Sequence, residues 1–179
     1  AVAVDNPADT TVVAEVAAAT AADVDAAVAA AVEAVPAMAR LTEFERAELL
    51  HAVADLLDER ADALAVQMTA ESGKPLAAET RDELVESAEI FRLAAEETKR
   101  LETHVMPSIE RTKRVFTHRK PVGVYALLTP FNFPMNIPAE LLAAALGGGN
   151  TVVMKPSEST PLSGSALAQA VVDAGFPAG

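Results

Sequence analysis

Apolar positions change period twice along this chain, and the changes mark out its segments. Val2 to Val4 and Val12 to Val16 are short β-branched runs around Asn6, Pro7, Ala8 and Asp9, a turn-forming tetrad that predicts a hairpin. From Thr20, with Asp23 behind it, the period becomes helical: Val24, Val28, Ala31, Val32 and Val35 recur on one face until Pro36, which is expected to end the helix. Thr42 and Glu45 then form a capping box, each able to satisfy a first-turn amide, ahead of the stripe Leu49, Leu50, Val53, Leu56 and Leu57. A third helix, from about Ala61 to Ser72, stops at Gly73, and Pro75 forbids its continuation. The spacing of Leu84, Ala88, Phe91 and Ala95 predicts one long amphipathic helix from about Ala77 to Thr103. These four helices are expected to cover a sheet rather than contact a ligand.

Past Val105 the period shortens to two. Ile109 to His118 sets Val115 and Thr117 against Arg114, Phe116 and His118, the pattern of an exposed ribbon, and a ribbon of two strands is marginal alone, so a partner surface is implied. Val122 to Leu128 is a nearly continuous apolar run, read as a strand buried on both faces. A helix-length segment from Ile137 to Leu146 follows, punctuated by Gly147, Gly148, Gly149 and Asn150, and Thr151 to Met154 reads as a second strand of the same kind. Strand, crossover helix and strand make a parallel unit whose strands point the same way. Thr129 to Asn132 and Lys155 to Glu158 therefore open on one edge, the edge where such sheets bind ligands. A last helix runs through Ala174 and is closed by Gly175 and Pro177.

A hydrophobic fraction of 51% over 179 residues is ample for a packed core, in one domain or most of one. The net charge of -12 argues against nucleic acid, whose phosphates such a surface repels. Arg111, Lys113, Arg114, Arg119 and Lys120 form a local basic run, but its alternation with apolar residues reads as an exposed strand face. No basic segment leads into an apolar stretch at the amino terminus, and no apolar run approaches the roughly 18 residues that span a bilayer, so a soluble cytoplasmic protein without membrane contact is expected. There is no cysteine, hence no disulfide framework and no thiol metal site. His51, His104 and His118 lack ligand spacing, and no metal is expected.

The pair PFNFP and GNTVVMKPSE, preceded by PVGV, resembles the aldehyde dehydrogenase superfamily, in which a nicotinamide cofactor takes hydride from a thiohemiacetal formed on a catalytic cysteine. The likeness runs from NPAD near the start through ESGKPLAAE to GFPAG. It implies an α/β fold: an N-terminal helical layer, the first βαβα part of a Rossmann-like parallel sheet, and a β-ribbon oligomerisation arm. The corresponding division is 1–105 for hairpin and helices, 106–120 for the arm, and 121–179 for an incomplete NAD(P)-binding region. In the family the Gly-rich phosphate turn, the catalytic glutamate and the catalytic cysteine come later. The expectation is an N-terminal part of an NAD(P)-dependent aldehyde dehydrogenase, inactive alone and forming homodimers or homotetramers when intact. The alternative is a non-catalytic module that binds a nucleotide weakly or assembles with partner subunits.

By the same resemblance Asn132 donates its side-chain amide to the oxyanion of the tetrahedral intermediate, a task suited to a neutral two-proton donor. Its setting in apolar PFNFP favours that role, and a loop asparagine capping the next helix is the plainer reading. Thr129, Pro130 and Phe131 are implied to line the cofactor cleft; many members carry tryptophan where Phe131 stands, so ring packing is kept and an indole donor is not. Phe133 is implied at the aldehyde pocket, with core packing as the alternative. Glu158 can accept both hydroxyls of an adenosine ribose and Lys155 can donate to the diol or to a 2′-phosphate, with Pro156 and Ser157 flanking the adenine. Glu158 leans toward NAD, Lys155 keeps NADP open, and a surface ion pair is the alternative. Gly147 to Gly149 follow a helix and precede a strand, the reverse of a phosphate cradle. Neither Ser163 nor Ser165 sits in a nucleophile elbow. Lys74 reads as solvated, or as compensating the end of its helix dipole.

Overall fold

In the computed structural model, which describes residues 1–179, β1 (Val2–Asp5) and β2 (Val12–Val16) form the expected hairpin, antiparallel with a bulge at Val4 and Asp5. Its turn is held by Gly73, which has a φ of +75° and approaches so closely that a Cβ there would lie 2.8 Å from Pro7 Cγ. The helices are α1 (Ala21–Met38), α2 (Glu43–Glu59), α3 (Ala61–Ser72) and α4 (Arg81–Thr98). Capping boxes form at both predicted starts: Thr20 with Asp23, and Thr42 with Glu45, whose amide reaches Thr42 Oγ1 at 3.2 Å.

Two helices depart from their expected form. Pro36 does not end α1, because it lies in the last turn and forfeits a single backbone bond; the Ala39 N–H still reaches Val35 O at 2.9 Å. The buried face of α1 is Ala31, Ala34 and Met38, while Val24, Val28 and Val32 stay exposed. The helix backbone lies so near the sheet that Thr151 Oγ1 donates to Ala31 O at 2.9 Å, and small side chains permit that approach. The long helix is shorter than predicted. Leu76–Thr80 forms a π-helical turn, closed by the Thr80 N–H on Pro75 O at 3.2 Å, and α4 then ends at Thr98.

The ribbon is also shorter than its alternation suggests. Only β3 (Val105–Met106) and β4 (Val115–Phe116) pair, Val105 opposite Phe116, and the stretch between them is a turn secured by the Lys113 N–H on Glu110 O. The basic residues around it are exposed.

The predicted βαβ unit is present. β5 (Val124–Leu128), α5 (Asn136–Gly147) and β6 (Thr151–Lys155) form a parallel pair with its crossover, in register from Val124 opposite Thr151 to Leu128 opposite Lys155, and α6 (Pro161–Asp173) follows. Asn150, buried at the start of β6, stitches the far edge: its Oδ1 accepts from the Val122 and Gly123 amides at 2.7 and 3.0 Å, and its Nδ2 donates to Ala145 O. The glycines before it stop α5 and turn the chain, as read from their order. β5 is not buried on both faces. It has β6 as its one neighbour, Leu127 alone is buried, and Leu128 is 72% exposed.

One apolar core of 22 residues runs through all six helices and β5, from Met38 and Leu50 to Phe91, Leu142 and Leu167. Of the four N-terminal helices, α1 lies directly on β5 and β6, whereas α2 and α4 pack on α5 and α3 packs on α6. The helical layer therefore mostly covers the crossover helices rather than the strands, and it reaches the loops that precede them. No helix is long and apolar enough to cross a membrane.

Candidate functional site

The two strands end together. Leu128 faces Lys155, and one step further the Thr129 N–H donates to Lys155 O at 3.2 Å, so both chains leave the sheet at its carboxyl edge. The edge brings together Thr129 to Phe133 on one loop and Lys155 to Glu158 on the other. Thr129 is buried, and its Oγ1 has no partner within the chain; Thr160, buried ahead of α6, is in the same condition. An orphaned buried hydroxyl costs free energy unless something completes it, which marks this edge as built for further contacts.

On the first loop Phe131 and Phe133 are exposed by 61% and 44%, while Pro134 and Met135 are fully buried. Asn132 is exposed, so burial in an apolar cage does not account for its presence. It does not cap α5 either: the residue preceding that helix is Met135, and no loop side chain closes the first turn. Its side chain makes no hydrogen bond within the chain, whereas its carbonyl does.

The first turn of α5 is closed from the helical layer. Glu83 of α4, 1% exposed, accepts the Met135 and Asn136 amides on Oε1 at 2.9 and 3.1 Å, and Asn136 Nδ2 donates to Glu86 at 2.9 Å. Glu83 Oε2 meets Lys74 Nζ at 2.5 Å. Lys74 is not solvated; its side chain is 12% exposed, donates to Asn132 O at 3.0 Å and lies 4.0 Å from the centre of the Phe133 ring. Helix-end position suggested a dipole role, but the π-helical turn after Pro75 brings Glu83 within reach, and a carboxylate outcompetes helix-end carbonyls for an ammonium.

The second loop is gripped in the same manner. Glu71 of α3, 3% exposed, accepts the Leu162 amide at 2.8 Å and the Ser163 amide at 2.8 Å, and Ser163 Oγ donates to it as well. Burial pushes the Glu71 carboxyl above its ordinary range, against the pull of these donors. Ser157 is buried and accepts the Ser159 amide, and Pro156 packs so tightly on α6 that a Cβ at Gly164 would lie 2.5 Å from its Cβ. Lys155 and Glu158 remain at the surface, 60% and 80% exposed; Lys155 Nζ reaches Pro156 O at 2.7 Å and Glu158 at 3.4 Å. The Glu158 carboxyl is held below its usual range by its own backbone amide, with Lys155 adding to it, so it is ionised at neutral pH.

Periodicity missed Glu71, Lys74 and Glu83. Their signal lies in the stripes: Glu71 continues Leu64 and Met68, and Glu83 adjoins Leu84 and Ser87, so each places a charge on a buried helix face. A charge there needs a partner.

Helical layer, ribbon and strand ends together define the opening βαβα segment of a Rossmann-like α/β sheet. The model of the aldehyde dehydrogenase family matches residues 1–179, and the chain belongs to that family. It is 39% identical over 176 residues to a glutarate-semialdehyde dehydrogenase of Pseudomonas aeruginosa, which covers 98% of this chain and 36% of the relative. Among solved structures, an NADP-dependent enzyme of Escherichia coli superposes with a TM-score of 0.96 at 39% identity, over 99% of this chain and 37% of that one. PnpE of a Pseudomonas species, in complex with nicotinamide adenine dinucleotide, superposes with a TM-score of 0.95 at 36% identity, over 99% of this chain and 36% of its own. The chain thus spans about a third of the length of the relatives it matches.

Proposed function

We propose that this chain is the N-terminal part of a cytoplasmic NAD(P)-dependent aldehyde dehydrogenase that oxidises an aldehyde to a carboxylic acid. The observation that carries the proposal is the shared edge, where an unengaged asparagine amide and an ionised glutamate leave neighbouring strands in register. Asn132 is the donor to the oxyanion, free to point an amide proton at a developing charge because no group in the chain occupies its side chain. Phe133 walls the aldehyde pocket, stiffened by the ammonium against its ring. Thr129, Pro130 and Phe131 line the cofactor cleft, and the unpartnered Thr129 hydroxyl fits a donor or acceptor arriving from it. Glu158 takes the ribose diol with Lys155 beside it, while Pro156 and Ser157 flank the adenine. The cofactor, when bound, supplies a hydride acceptor.

Glu158 favours NAD, since an ionised carboxylate repels an added 2′-phosphate; Lys155 provides the charge an NADP enzyme would need. A cysteine nucleophile is not among these residues, since the chain holds no cysteine. The exposed ribbon, residues 106–120, is the arm that pairs subunits into dimers or tetramers. A self-standing nucleotide-binding module is disfavoured by β5, whose Tyr125 and Leu128 lie open at the sheet.

Titration calorimetry and an assay for NAD reduction test this on the isolated chain, with glutarate semialdehyde as the first aldehyde. Half a cofactor site is expected to bind NAD with a Kd on the order of 1 mM, to lose that heat in Glu158→Ala, and to show no turnover. Turnover by the isolated chain, or NAD heat unchanged in Glu158→Ala, would overturn the assignment.

A further inference from the structure

Lys74 and Glu83 join three separate parts of the fold: the end of α3, the start of α4 and the loop that carries Asn132. Together they hold four points on five consecutive residues, from Asn132 to Asn136 at the start of α5. Lys74 Nζ takes the Asn132 carbonyl at 3.0 Å and lies 4.0 Å from the Phe133 ring centre, and Glu83 Oε1 takes the Met135 and Asn136 amides at 2.9 and 3.1 Å. The two side chains are 12% and 1% exposed and meet at 2.5 Å. Fixing a residue's carbonyl fixes one of the two peptide planes at its Cα and so narrows the directions open to its Cα–Cβ bond. Beyond the buried Thr129, Asn132 is the residue of this loop whose polar side chain has no partner within the chain, so no side-chain hydrogen bond sets where its amide points.

We propose that Lys74, locked by Glu83, is a positioning residue for the Asn132 amide: through the Asn132 carbonyl it aims the side chain at the place where negative charge develops on the substrate. The proposal rests on the oxyanion role of Asn132 given above. Lys74 touches no reacting atom; its effect on kcat runs through Asn132, while its contact with the Phe133 ring bears on the pocket wall. A solvated lysine would leave the Asn132 peptide plane free to turn about the neighbouring φ and ψ angles, and an amide displaced by about 1 Å loses much of its hold on the transition state. The pair also explains why a buried charge is tolerated beside an exposed loop, since each charge is satisfied by the other and by backbone groups.

The test is a double-mutant cycle in the complete enzyme. Asn132→Ala is expected to lower kcat by about 10²- to 10³-fold, the usual loss for one oxyanion donor. Lys74→Met is expected to lower kcat by about 10- to 100-fold with KM for the cofactor changed less than about twofold, and Lys74→Arg to recover most of it. In the Asn132→Ala background Lys74→Met is expected to cost less than about twofold, because the group it aims is gone. Should K74M fail to fold, K74M combined with E83Q leaves no unpaired charge and takes its place. A K74M enzyme with wild-type kcat per folded molecule, or an equal loss with and without the Asn132 amide, overturns the positioning role. Wild-type kcat in N132A instead removes the oxyanion reading beneath it, so the two failures are distinguishable.

Discussion

A carboxylate buried among apolar side chains persists only where donors converge on it, and Glu71 and Glu83 each find them at the exposed first turn of a helix. The two acids differ in what completes them: Glu83 has the Lys74 ammonium, while Glu71 has amides and a hydroxyl and no cation. That difference has a pH signature. Burial raises the Glu71 carboxyl above 4.5, so over an interval of pH the folded chain holds a proton there that the unfolded chain has released. Stability from this group is complete below pH 4.5 and is lost as pH rises through the folded value. Acids held low, such as Glu43 by its own backbone amide and Asp173 by Gln169, run oppositely, their contribution present above the unfolded value and lost as pH falls. Comparison with Glu71→Gln cancels them. In E71Q an NH₂ group faces one of the helix amides, which costs about 1–3 kcal/mol at low pH. The advantage of wild type over E71Q is expected to shrink as pH rises above 4.5, in urea unfolding followed by circular dichroism. A gap that widens with pH would mean that Glu71 is ionised in the folded chain throughout.

Elements were legible in the sequence where their chemistry is local. Thr20 with Asp23 and Thr42 with Glu45 need only three-residue spacing to close a helix start, and the order helix, glycines, strand around Gly148 excludes a phosphate cradle without reference to anything distant. The βαβ unit and its shared edge followed from period and length alone. What was illegible depends on the partner. In an alanine-rich helix two faces compete, and the valines of α1 point to the wrong one, because the sheet approaches too closely for a branched side chain and selects Ala31 and Ala34. The Lys74–Glu83–Asn132 arrangement spans 58 residues and depends on a π-helical turn that no propensity announces. The reassignment of α1 has a simple check. Val28, 41% exposed, is expected to tolerate Ser within about 0.5 kcal/mol, whereas Ala31, fully buried, is expected to lose about 1–3 kcal/mol on substitution by Val. Chemical denaturation of the two variants decides it: a costly Val28→Ser with a neutral Ala31→Val restores the valine face.

At the scale of the whole molecule two forces oppose each other. The parallel pair β5 and β6 has an open edge on each side, with Tyr125 and Leu128 exposed on β5 and Val105 and Phe116 on the ribbon, so apolar surface and unpaired backbone invite association. A net charge of -12 repels like copies over the same surface. Salt weakens only the second force: the screening length falls from about 30 Å at 0.01 M to about 3 Å at 1 M, while burial of apolar area is undiminished. The isolated chain is therefore expected to sediment as a monomer at low ionic strength and to associate as salt is raised, with a weight-average mass that grows with protein concentration. Leu128→Lys places a charge on the open strand, where its cross-strand neighbour is the exposed Lys155 and where any added strand pairing would bury it. It is expected to shift the onset of association to at least severalfold higher protein concentration while leaving monomer stability within about 0.5 kcal/mol. The ribbon supplies the control. If Phe116→Lys suppresses association and Leu128→Lys does not, the arm at 106–120 governs self-contact and the sheet edge is passive; if association weakens with salt, electrostatic attraction between the basic ribbon and an acidic face is the dominant force.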